Sequence, residues 1–241
     1  MTTKLLRNSA MLALAGLFLW DPAAKAAFMQ IPQPNSTYTS STTLIPITGP
    51  DGDTTPTLSD SNLTVTFSTL MQKFTVPDTW FNWSSPPNAE TSTPRVLSPV
   101  DYLTTTSVTL SFSQGLSTFG LEAEPDAFEG SFPIRLDFFS GATLLGTVSN
   151  DLDGMTSALF AATSSTPITS VTLTIEGNSQ DPAGTDPGIA QIRYALALSP
   201  QTVPEGGASI WLMAAATLGL VAVYRLRAAR SYPAGKPTRK S

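Results

Sequence analysis

The chain has 241 residues, among them no cysteine and no histidine. Disulfides, thiol nucleophiles, Ser-His-Asp catalysis and metals ligated by histidine or cysteine are therefore excluded within it. The formal net charge of −5 hides an asymmetry: residues 27–205 hold four basic side chains (Lys73, Arg95, Arg135, Arg193) against 17 acidic ones, a formal −13 that repels nucleic acid and anionic lipid.

In chain order, residues 1–26 read as a signal peptide. Lys4 and Arg7 form a basic start, and Ser9 to Trp20 is an uncharged, mostly apolar stretch too short to span a bilayer. Ala24-Lys25-Ala26 then offers small residues at the positions a signal peptidase reads, with cleavage expected before Ala27. Residues 27–60 are rich in Ser, Thr and Pro and are expected to be an extended lead-in with room for one edge strand.

From Leu63 the pattern turns to period 2. Leu63, Val65 and Phe67 alternate with threonine and serine, as do Val108, Leu110 and Phe112. Phe119, Leu121 and Ala123 follow, then Ile134, Leu136 and Phe138, then Val171, Leu173 and Ile175. Ile189 to Leu198 is apolar enough for an interior strand. Each alternating run puts its apolar set on one face, the pattern of half-buried antiparallel strands. Turn signals separate the runs at Ser140-Gly141, Asn150 to Gly154, Glu176-Gly177-Asn178 and Pro182 to Gly188. The expected fold is all-β: residues 61–199 form a single β-sandwich domain of jelly-roll type, flanked by the signal peptide and a C-terminal transmembrane helix.

The C-terminal region has three parts. A linker over residues 200–209 contains Val203-Pro204-Glu205-Gly206-Gly207; residues 210–224 are uncharged; Arg225, Arg227 and Arg230 open a basic tail over residues 225–241. The uncharged run corresponds to about 22 Å of helix at roughly 1.5 Å per residue, so it reads as a short membrane span that borrows flanking residues. The arginines would hold the tail in the cytoplasm.

This tripartite arrangement resembles the PEP-CTERM class of exosortase-processed proteins, found in Gram-negative bacteria that make extracellular polysaccharide. Gly206-Gly207 stand where the commoner signal has its second proline. The stretches Trp80 to Pro87, Ser117 to Pro125, Gly141 to Val148 and Ile189 to Tyr194 further resemble one uncharacterised PEP-CTERM domain group. The resemblance implies an exported protein that an exosortase-like sorting protease cuts at or near Val203 to Gly207, after a membrane intermediate held by residues 210–224. The destination is the cell surface or extracellular matrix. It brings no established activity.

Glu122 and Glu124 stand two apart, so on a strand they share a face, with Asp126 and Glu129 nearby. They could form a carboxylate pair for glycan hydrolysis or lysis, ligate calcium, or line the solvent face of a strand whose core face is Phe119, Leu121 and Ala123. The last reading is favoured, so no catalytic residue, metal or cofactor is assigned. Asp51-Gly52-Asp53 and Asp151-Leu152-Asp153-Gly154 resemble fragments of calcium loops but read better as turns. Trp80 and Trp83 are the candidate glycan contacts, since aromatic faces stack on sugar C–H surfaces, although burial of at least one is expected. On a strand, Trp80 would share its face with Asn82, and Phe81 with Trp83. Arg193, among apolar neighbours, is expected to pair with Glu122 or Glu124. The sequence thus favours an exported structural or interaction protein; the alternatives are a carbohydrate-binding module for exopolysaccharide and a carboxylate-dependent glycan enzyme.

The sorting expectation has a direct check. The intact mass of native protein from the extracellular fraction should correspond to a species beginning at Ala27 and ending within Val203 to Gly207; a full-length C-terminus found only in membranes would overturn it.

Overall fold

The computed structural model describes residues 27–101, 105–177 and 185–198. The chain divides into two units at Ala197/Leu198, and the helix and strands described below all belong to the first. The signal peptide, the sorting motif, the span at 210–224 and the basic tail lie outside the described residues. Among the described residues no helix is long and apolar enough to cross a membrane.

The architecture is all-β, with one short helix. In order the elements are β1 (Phe28–Ile31), α1 (Ser36–Ser41), β2 (Thr43–Leu44), β3 (Thr54–Ser59), β4 (Thr64–Thr75), β5 (Arg95–Pro99), β6 (Ser107–Pro125), β7 (Ser131–Ser140), β8 (Thr143–Asp153), β9 (Ala158–Ile175) and β10 (Pro187–Leu196). The described pairings are all antiparallel. Strand order runs β2-β10-β5-β4-β6-β9-β7-β8, with β1 beside β9 and β3 beside β4.

Two long strands organise this network. β6 and β9 pair from Ser107↔Thr174 to Ala123↔Ala158, with register shifts around Leu116. The other edge of β6 is shared between two strands: its first part pairs with β4 at Val65↔Phe112, its second with β10 from Leu196↔Leu116 to Pro187↔Pro125. β5 bridges β4 and β10, closing a circuit of four strands. The apolar runs at Val108–Phe112 and Phe119–Ala123 are therefore one continuous strand, because Ser113 to Gly115 is absorbed as a bulge rather than a turn. Asp151 to Asp153, expected in a turn, instead end β8, while Gly141 at φ +56° forms the tip of the β7–β8 hairpin.

The lead-in also belongs to the sheet. β1 pairs with β9, β2 with β10 and β3 with β4. The Thr- and Ser-rich composition of β3 fits an edge position, where one face stays wet. Helix α1 is too short to show a helical period; Asn35 caps it, its side chain accepting from the Tyr38 amide at 3.0 Å.

The alternation expected from the sequence fills one apolar core. Val108, Leu110, Phe119 and Leu121 of β6 meet Ile134, Leu136 and Phe138 of β7, Val171 and Leu173 of β9, and Ile189 and Ile192 of β10. Burying each such side chain contributes about 1.5–3 kcal/mol. The opposite face of β6, β9 and β10 is covered as well. Tyr38 of α1 packs with Leu159 and Ala161 of β9, and the segment 76–94 brings Val76, Trp80, Trp83 and Ala89 against Val96 and Ala190.

A bulge in β10 makes the second cover fit. Ala190 pairs with Glu122 and Arg193 with Gly120, three steps against two. The extra residue, Gln191, sits at φ +47°, a region costly for a side chain other than glycine, asparagine or aspartate. It turns Arg193 toward the same face as Ala190 while Ile189 and Ile192 stay in the core.

Gly120 marks the closest approach of α1 to the sheet. A Cβ there would lie 2.4 Å from both the Ala161 Cβ and the Tyr38 hydroxyl. Gly120→Ala should therefore destabilise the domain by about 1–3 kcal/mol, read in thermal unfolding as a drop of about 2–4 °C per kcal/mol. An unchanged Tm would show that α1 is not packed as described.

Candidate functional site

The segment 76–94 has no regular period and is held by side chains instead. At its start, Thr79 and Trp80 donate their amides to the Thr75 carbonyl. The Asp51 carboxylate accepts from Thr75 at 2.8 Å and Thr79 at 2.6 Å and pairs with Arg95 at 3.0 Å. These hydrogen bonds, from Thr79 and then Thr75, hold the Asp51 carboxyl below its ordinary range. Asp51-Gly52-Asp53 is thus a clamp on the cover, with Gly52 at φ +83°. Midway, Ser84 and Ser157 exchange amide-to-hydroxyl bonds of 3.0 and 2.8 Å, and the Asn82 side chain donates to the Met155 carbonyl.

Beneath this cover lie the two glutamates. The Trp83 indole donates to Glu122 Oε2 at 2.9 Å, and the Glu90 amide to Oε1 at 2.6 Å. The Trp80 indole donates to Glu124 Oε1 at 3.4 Å. Trp80 lies over Gly188, where a Cβ would meet the ring at 2.5 Å. Both carboxyl groups are buried, at 0% and 3% exposure, which replaces the expected solvent-facing arrangement. Their strand does alternate, but its polar face meets the cover rather than water.

Arg193 pairs with neither of them. Its Nε donates to both Glu90 oxygens, at 2.7 and 2.9 Å, and its Nη1 donates to the carbonyls of Thr39 and Thr42 at the end of α1. Glu90 carries no local signal in the sequence, because only the path of the cover brings it to β10.

Burial pushes Glu122 up to about 7, against the opposing pull of the Trp83 bond, and Glu124 up to about 8. Asp126 is also raised, by burial and then by the nearby Asp186. Among the described buried side-chain atoms, three lack a hydrogen-bond partner: Tyr38 Oη, Arg95 Nε and Glu124 Oε2. Burial raises the Tyr38 phenol. No group of three or more acidic side chains among the described residues could hold a metal ion.

The candidate glycan contacts Trp80 and Trp83 are not presented to solvent: they are 7% and 4% exposed. The segment is not a strand, so both rings turn inward, and Phe81 between them turns out. Phe81 meets Phe128 edge to face, ring centroids 5.6 Å apart and planes at 69°. Both rings are exposed, at 68% and 70%. They flank a cleft of about 230 Å³, which Trp80, Glu124, Asp126 and Met155 also line. Glu122 is shut away from it. Asp126 was visible in the sequence as a neighbour of the glutamates; Phe128, in an irregular stretch, gave no signal.

No protein-family model matches the chain, and no curated protein matches it. Solved structures with a weak likeness include a family 11 carbohydrate-binding module from Clostridium thermocellum in complex with a β-1,3-1,4-mixed-linked tetrasaccharide: 12% identity, 58% of this chain and 92% of that one covered, TM-score 0.29. A family 6 carbohydrate-binding module gives 13% identity, coverage of 62% and 88%, and a TM-score of 0.27. The enzymatically active domain of bacteriophage CBA120 tailspike protein 4 gives 13% identity and a TM-score of 0.28, with 56% of this chain covered but only 19% of that one. Likenesses at this level carry no functional weight.

The raised glutamates give a pH dependence with a definite sign. When folded they keep protons that the unfolded chain, with ordinary values near 4.5, has released. Unfolding free energy therefore falls as pH rises from about 4.5 to about 8. The contribution is complete at the acidic end and is lost through the folded values. Tm measured at pH 5.5 should exceed that at pH 8.5, and Glu124→Gln should raise the alkaline Tm and shrink the difference. A Tm flat across this range in both proteins would contradict the burial described.

Proposed function

We propose that the chain is an exported cell-surface or matrix protein whose domain, a β-sandwich of jelly-roll type, binds extracellular polysaccharide at the cleft flanked by Phe81 and Phe128. The exposed aromatic pair carries this reading. Two large rings held in water beside a concavity are an unfavourable surface unless something covers them, and the C–H faces of sugars are suited to stack there. The cleft's volume of about 230 Å³ equals the space of roughly seven or eight waters at about 30 Å³ each. That is the scale of one sugar ring rather than of a larger cofactor. The Glu124 and Asp126 carboxyls supply hydrogen-bonding groups for hydroxyls or other polar substituents.

The C-terminal pattern supports the route. An exosortase-like protease acting at Val203 to Gly207, with residues 210–224 as the membrane intermediate, would deliver the acidic domain to a hydrated polysaccharide matrix.

Purified protein should be retarded by the producing cell's exopolysaccharide in affinity electrophoresis. Phe81→Ala with Phe128→Ala should weaken binding at least tenfold, equivalent to about 1.4 kcal/mol, while Tm changes little because both rings are exposed. Retardation equal in wild type and double variant would rule out this cleft as the binding site.

A further inference from the structure

Resting on that reading, we infer that the saccharide bound at the cleft carries a protonated amine, as in a glucosamine unit, which Glu124 and Asp126 hold against Phe81 and Phe128. Glu124 lines the cleft and is 3% exposed, yet its Oε2 has no partner and its Oε1 has only the 3.4 Å bond from Trp80. Burial keeps Glu124 protonated in the free domain, its pKa pushed up to about 8. An ammonium beside it would displace that proton and leave a carboxylate able to accept about four hydrogen bonds, and buried polar atoms left unmatched are rare in folded proteins. An ammonium group brings three donors and a compensating charge.

The surroundings favour a cation over a neutral hydroxyl. Asp126 lines the same cleft, and Asp186 lies behind it, its carbonyl accepting the Asp126 amide at 3.0 Å and its carboxylate the Thr105 amide at 3.0 Å. No lysine or arginine is among the described residues lining the cleft. Elsewhere in the domain Asp51 pairs with Arg95, Asp137 and Glu176 with Arg135, and Glu90 with Arg193, whereas among the described residues no such ion pair reaches Glu124 or Asp126. The cleft carboxyls are left facing a space bordered by two exposed aromatic rings, whose faces attract cations. The acidic surface of residues 27–205 would draw such a ligand from a distance.

Titration calorimetry with three linear tetrasaccharides decides the matter: one of glucosamine, one of N-acetylglucosamine and one of glucose, all at a pH where the free amine is protonated. The glucosamine tetramer should bind at least tenfold tighter than either neutral one. Glu124→Gln, with Asp126→Asn as a second variant should the first fail to fold, should remove that preference, bringing the glucosamine tetramer to within about twofold of the neutral ones. A neutral tetramer bound as tightly as the glucosamine tetramer overturns the inference and leaves the polysaccharide reading standing. Amine preference undiminished in both variants also overturns it, placing the attraction on the general acidic surface. Failure of all three tetramers to bind protein with a normal melting transition overturns the inference and the polysaccharide reading together.

Discussion

Glu122 sits where the sheet meets its cover, and both of its oxygens are used to join them. One accepts from the Trp83 indole and the other from the Glu90 amide; Glu90 in turn grips Arg193, which reaches the last carbonyls of α1. One connected chain of polar groups thus fastens the segment 76–94 and the helix to β6 and β10. Such a buried network is valuable only while every member is matched. Deleting one partner of a buried ion pair typically costs about 3–5 kcal/mol, because the other is left uncompensated. The irregular cover therefore has a defined position without a hydrogen-bonded ladder of its own.

That fixed position produces the cleft. Trp80 and Trp83 are anchored inward by their N–H groups to two glutamates on one face of β6. With the tryptophans on either side of the Phe81-Asn82 pair committed to the interior, Phe81 is left on the outside. The turn after β6 supplies the opposing Phe128 and the Asp126 carboxyl. Stability and recognition are separate here: Glu122 is fully enclosed and structural, whereas Glu124, two residues on, has the same kind of anchor on one oxygen and none on the other.

Much of the sheet was legible because two-residue periodicity is a direct imprint of the pleat. Val108 and Leu110, Ile134 to Phe138 and Val171 to Ile175 could be assigned a core face from the sequence. What covers the other face could not. A polar face of alternating Thr, Ser and Glu normally meets water, and nothing local to Glu122 announces a distant lid. The lid's own residues, Trp80-Phe81-Asn82-Trp83, follow no period, because their positions are set by contacts far away in sequence. β1 to β3 were hidden for a related reason: edge strands with wet faces lack the apolar alternation that identifies a strand. The one available hint was a count, two indole N–H donors matched by two carboxyls spaced for one strand face.

The bulge at Gln191 makes β10 a strand that changes phase. Before it, odd-numbered Ile189 looks into the core while Gly188 and Ala190 look at the cover; after it, even-numbered Ile192 and Tyr194 look into the core while Arg193 looks at the cover. The phase of this strand therefore depends on the extra residue and the bulge occurring together. Flattening the bulge while keeping its residue would restore a strict alternation along the strand, driving the Arg193 guanidinium into hydrocarbon and Ile192 against Glu90. Losing residue 191 and the bulge together would leave each later side chain on its present side. Two residues gained or lost together would keep every later side chain on its proper side. The bulged conformation of one loop-like residue inside a strand decides which face of its second half carries the charge.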